Sequence, residues 1–72
     1  MTAKEYNARV GENIRKIREA SGLCPYQLDA ALHRPRGYIC KLESGKKRLS
    51  DKALIELSVL YDVSVYKILK VT

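Results

Sequence analysis

Glycine and proline cut this sequence into pieces too short for anything but small helices. Gly22, Pro25, Pro35 and Gly45 punctuate its middle, and the apolar residues around them recur at three- and four-residue steps. Nowhere do they show the strict alternation of a half-buried strand. The reading is therefore all-α, and 72 residues leave room for one domain without repeats or an internal linker.

Five helices are expected. Thr2 followed by Glu5 is a capping-box signature, and Tyr6, Val10, Ile14 and Ile17 then form an apolar stripe, so a first helix should run from about Ala3 to Ala20 and stop at Ser21-Gly22. Pro25 suits the first turn of a second helix over 25–32, where its missing N–H needs no partner, with Leu28, Ala31 and Leu32 buried. Pro35 repeats the device and predicts a third helix over 35–43, with Ile39 and Leu42 inward and Gly45 closing it. Ser50 should cap a fourth over 51–61, with Leu54, Leu57, Leu60 and Tyr61 inward, and Ser64 a fifth over 65–70.

Charge narrows the function. Lys and Arg number 14 against 8 Asp and Glu, a formal net charge of +6, and a polyanion is the natural partner of such a chain. The positives cluster: Arg34, Arg36, Lys41, Lys46, Lys47 and Arg48 stand against the single acid Glu43, where an even spread would place about three. On a helix that buries Ile39 and Leu42, the residues Arg36, Gly37, Lys41 and Ser44 fall on the remaining surface. An α-helix fits the major groove, where Arg or Lys bonds guanine O6 and N7. The candidate base contacts are Arg36, Gly37 and Lys41, and Lys46, Lys47 and Arg48 are candidates for phosphates. Gly37 within a helical first turn costs roughly 1 kcal/mol relative to Ala. Either close approach to DNA or tolerance at a helix end accounts for it. On the first account Gly37→Ala raises stability and lowers affinity.

Other classes fare worse. One His, no Ser-His-Asp arrangement and no glycine-rich phosphate loop speak against an enzyme, and no cofactor is implied. Cys24, Cys40 and His33 lack metal-ligand spacing, and without an export signal the two thiols are expected to be reduced. No apolar run approaches the roughly 18 residues of a bilayer span, so a cytoplasmic location is expected. Membrane-surface binding lacks the flanking aromatic and Leu-rich stripe it needs.

The residues Gly-Glu-Asn-Ile-Arg-Lys-Ile-Arg (11 to 18), Gly22-Leu23, Leu28, Leu32, Tyr38-Ile39-Cys40-Lys41-Leu42-Glu43-Ser44-Gly45-Lys46, Ser50, Leu54, Leu57, Val63-Ser64 and Ile68-Leu69 resemble the Cro and cI type helix-turn-helix domain of phage repressors and their bacterial relatives. The resemblance is gapless from about Val10 to Leu69. It implies a five-helix, lambda-repressor-like domain that binds double-stranded DNA with its third helix in the major groove and regulates transcription as a homodimer on two half-sites about 34 Å apart. It also implies an Arg18–Glu43 ion pair and a dimer surface from the C-terminal part, with Val65, Tyr66 and Ile68 as candidates, Ile68 being the one better suited to the core.

The departures fall within the motif. Pro25 stands where the family has a DNA-contacting Gln, Cys24 replaces a Ser or Thr cap, and Tyr26 or Gln27 could reach a phosphate instead. Asp29 stands where a small Ala lets helices pack, and should turn to solvent or pair with Arg34 or Arg36. His33 replaces a turn Gly, Arg34 an apolar turn residue and Pro35 a Ser or Thr. Arg34, Tyr38 and Ser44 complete the candidate phosphate contacts. Pro25, Asp29 and Pro35 also motivate an alternative, a protein-interaction module of antirepressor or antitoxin type on the same scaffold.

Overall fold

Thr2 starts the longest helix. Its hydroxyl accepts from the Glu5 N–H at 3.1 Å while the Glu5 carboxylate accepts from the Thr2 N–H at 3.1 Å, and the Thr2 N–H, with the nearby Thr2 side chain, holds the Glu5 carboxyl below its ordinary pKa. In the computed structural model, which describes residues 1–70, this helix α1 spans Ala3–Ser21 and ends at Gly22, whose φ of 78° lets its N–H turn back to the Glu19 carbonyl. Four more follow: α2 Pro25–Ala31, α3 Tyr38–Glu43, α4 Asp51–Tyr61 and α5 Val65–Leu69. The described residues contain no strand, and none of their helices is long and apolar enough to cross a membrane. Ser50 and Ser64 cap α4 and α5 as their positions predict, each accepting from the N–H three residues on at 3.2 Å.

The helices fold around one core. Leu28, Ile39, Ala53, Leu57, Ile14 and Ile68 are essentially sealed from solvent, and Val10, Leu32, Tyr38 and Leu42 complete the set. α1 packs on α3 and α5, α2 on α3, and α5 on α4. α1 and α3 approach closely at Gly11, which has only hydrogen on its Cα facing the Leu42 and Glu43 carbonyls. Asn13, also on α1, donates to the carbonyls of Ile68 at 2.9 Å and Lys70 at 2.6 Å and so supplies partners that α5 lacks at its C-terminal end.

Several packing expectations change. Ala31 is exposed rather than buried, and Tyr6, at the start of the α1 stripe, is 39% exposed. Ile68, a candidate for a dimer surface, is 1% exposed and lies in the core, because α5 packs against both α1 and α4. Leu60 is 45% exposed rather than inward. The inward stripe of α4 is Ala53, Leu54, Leu57 and Tyr61, and at 100° per residue Leu60 falls on its flank while Ile55 and Val59 point the other way. Ile55, Val59, Val65 and Tyr66 are left exposed on α4 and the first turn of α5.

Candidate nucleic-acid interface

The third helix is shorter than its sequence suggests, and Asp29 is the reason. Its carboxylate, 2% exposed, accepts from the N–H of Gly37 at 2.9 Å and of Ile39 at 2.7 Å. These are donors that the start of a helix leaves without partners. α3 therefore begins at Tyr38, with Gly37 as its N-cap at φ 93°, and not at Pro35. Pro35 and Arg36 belong to the turn between α2 and α3, where His33 also takes a positive φ of 56°. Asp29 neither turns to solvent nor pairs with Arg34 or Arg36. It joins α2 to the start of α3, and Asp29→Ala should destabilise the chain by about 2–3 kcal/mol by leaving both N–H groups unpaired. Urea unfolding with an unchanged m-value is the measurement.

Gly37 accordingly plays a different part from the one its sequence suggests. At φ 93° an added Cβ meets no neighbouring atom but forces a left-handed backbone on an L-residue. Gly37→Ala should lower stability by about 1–2 kcal/mol, the reverse of the change expected for a glycine inside a helix. A fall in Tm of at least about 4 °C in a thermal melt is the expected sign.

The cations divide into two groups. Arg34 is engaged within the fold: its guanidinium donates to Glu56 on α4 at 2.6 Å and lies 5.0 Å from the centre of the Tyr38 ring. The bonds to Glu56 raise its pKa above the ordinary value. Arg34 thus fastens the α2–α3 turn to α4 instead of reaching a phosphate. Tyr38, at 8% exposure, is likewise a core residue rather than a phosphate contact, and Lys47 sits against its ring at 5.5 Å.

Arg36, Lys41, Lys46, Lys47 and Arg48 are all exposed, and none of the five has a carboxylate partner among the described residues. Arg36 lies over the ring of Tyr26, 4.8 Å from its centre, and Tyr26 is 56% exposed. Gln27 is exposed but its side-chain oxygen accepts from the Cys24 N–H at 2.8 Å, so it caps α2, the help that a cysteine at the cap position needs. The exposed Ser44 hydroxyl donates to the Lys41 carbonyl at 3.1 Å. Cys24 and Cys40 are free thiols, Cys40 on the exposed side of α3.

The acids of this region are held elsewhere. Glu43 takes two bonds from Arg18, at 2.6 Å and 3.1 Å, and the Arg18 guanidinium also donates to the Leu23 carbonyl at 2.8 Å. Both side chains are about nine-tenths buried, and the bonds Arg18 donates to Glu43 raise its own pKa above the ordinary value. Glu43, Glu56 and Asp29 are each bonded to other protein groups, and among the described residues no carboxylate pairs with Arg36, Lys41, Lys46, Lys47 or Arg48. No family model, curated protein or solved structure matches this chain.

Sequence reasoning missed three things here. Asp29 as a cap carried a signal, since Asp eight residues before Gly37 brackets a turn. Glu56 as the partner of Arg34 and Tyr26 as the partner of Arg36 carried none, because those pairings depend on how helices cross.

Proposed function

We propose that this chain is a double-stranded DNA-binding transcriptional regulator of the Cro and cI type, with a lambda-repressor-like arrangement in which α2 and α3 form a helix-turn-helix. The observation that carries the proposal is the exposed, unpaired state of Arg36 and Lys41, with Lys46, Lys47 and Arg48 just beyond the end of α3. An α-helix with its side chains is about 10–12 Å across and the major groove about 12 Å wide, so α3 fits with Arg36 leading. Arg36 and Lys41 are the base contacts of this proposal, and Lys46, Lys47 and Arg48 supply phosphate contacts.

The chain acts as a homodimer on this proposal, with Ile55, Val59, Val65 and Tyr66 as the apolar surface for a second copy. The interaction-module alternative loses one of its three motives, since Asp29 is accounted for as the cap of α3.

Selection of bound duplexes from a random DNA pool tests the proposal. Enrichment of a guanine-containing palindrome is the expected result, and affinity for it should fall with salt along a log–log slope of about −3 to −5 for each bound chain. Lys46→Ala should reduce that slope by about one unit without changing the selected sequence. A pool that shows no enrichment and no dependence on salt would refute the assignment.

A further inference from the structure

Of the exposed cations around α3, Lys47 meets the buried ring of Tyr38 and Arg36 an exposed ring. The Arg36 guanidinium lies over the Tyr26 ring at 4.8 Å from the centre, joining the first turn of α2 to the turn before α3. Asp29 lines the same recess between them, yet its carboxylate is bonded to the N–H groups of Gly37 and Ile39 and makes no bond to Arg36. Arg34, the other arginine there, is fastened to Glu56. One arginine is thus stacked, exposed and without a carboxylate, on a ring that is itself 56% exposed.

A stacked guanidinium keeps its in-plane N–H donors available, and holding it reduces the rotamer freedom lost when it bonds a base. When such a group takes guanine O6 and N7 it lies in the plane of that base. A ring over its face, with its centre 4.8 Å from the guanidinium carbon, then stands closer to the level of the next base pair, one step of about 3.4 Å along the axis, than to that of the guanine. At that level the edge of the ring meets the major-groove side of the neighbouring base pair, where a thymine presents its 5-methyl group.

We propose that Tyr26 and Arg36 act as one reading unit for a two-base-pair step, the guanidinium taking a guanine and the tyrosine ring the methyl group of a thymine in the adjacent pair. This rests on the DNA-binding proposal above and assigns Tyr26 as a positioning and specificity residue, in place of the phosphate contact its sequence position suggests. The contact is made by the ring and needs no hydroxyl.

Selections with the wild-type chain, Tyr26→Ala, Tyr26→Phe and Arg36→Ala test it, followed by titration of the selected duplex with that thymine replaced by uracil, which removes only the methyl group. Tyr26 is exposed, so all variants should fold, as circular dichroism will register. The wild type and Tyr26→Phe should both select guanine beside thymine and bind the uracil duplex about threefold to tenfold more weakly. Tyr26→Ala should bind the selected duplex about tenfold more weakly and be indifferent to uracil, and Arg36→Ala should lose the guanine. A Tyr26→Phe chain as weak as Tyr26→Ala would overturn the inference in favour of a hydroxyl contact. So would a Tyr26→Ala chain that still distinguishes thymine from uracil, although a guanine lost only in Arg36→Ala would leave the DNA-binding proposal standing. A wild-type chain that selects no sequence would end both.

Discussion

Glu43→Ala will lower the unfolding free energy by about 3–5 kcal/mol. The reason lies less in the bonds lost than in the charge left behind. Arg18 is 8% exposed and directs Nε and Nη2 at the two oxygens of Glu43, with Nη1 on the Leu23 carbonyl. Without the carboxylate a buried guanidinium remains with one neutral acceptor, and an unpaired charge in a dry site is far more costly than the pair is stabilising. A second substitution separates these effects: Arg18→Met with Glu43→Leu should lose less than Glu43→Ala alone, since it removes both charges and keeps apolar volume. Denaturant titration of the three chains gives the comparison. A loss below about 1 kcal/mol for Glu43→Ala is the magnitude of a solvated surface pair and would contradict the burial described here.

Gly11→Ala should also be strongly damaging, for a steric reason. A Cβ at this position would overlap the Leu42 carbonyl oxygen and stand 2.6 Å from that of Glu43. Both obstacles are backbone at the end of α3, so no side chain can swing aside, and α1 and α3 must separate. Overpacking of this kind costs about 3 kcal/mol or more, against a total stability of about 4–11 kcal/mol for a domain of this length. The helix-propensity gain of about 1 kcal/mol from replacing glycine does not offset it. Tm should fall by more than about 8 °C, while Arg9→Ala, an exposed change on the same helix, should leave it nearly unaltered. Equal Tm values for Gly11→Ala and the wild type would mean that the two helices do not approach this closely.

The two predictions concern one joint. Gly11 and Arg18 sit two turns apart on α1 and both address the C-terminal end of α3, while Asp29 holds the other end from α2. A six-residue helix has little stability of its own. It is kept in place at both ends by side chains from its neighbours, and the surface bearing Arg36 and Lys41 depends on all three.

Much of this was legible in the sequence. The capping box at Thr2, the turn at Gly22, the caps at Ser50 and Ser64 and the positive φ of His33 stand where local chemistry places them. Each depends on residues within a few positions of one another. The exposure of Lys41 followed from helical periodicity and that of Lys46, Lys47 and Arg48 from the loop expected after Gly45, whereas Arg36, placed by its sequence in the helix, is exposed in the turn before it. The Arg18–Glu43 pair was implied by resemblance alone, and the structure forms it.

The start of α3 was misjudged because Pro35 only permits a helix, whereas the Asp29 carboxylate fixes where the first N–H donors must lie. Arg34 and Tyr38 looked like phosphate contacts because a basic residue and a tyrosine beside a cationic helix are usually solvated. Glu56, more than twenty positions away in sequence, and the core beneath Tyr38 drew them in. The sequence by itself determined the helices, their caps and the excess of positive charge, since these arise from interactions one or two turns long. Only the tertiary structure decided which cations stay free, because each carboxylate could be matched to its partner only when the crossing of the helices had set the distances between them.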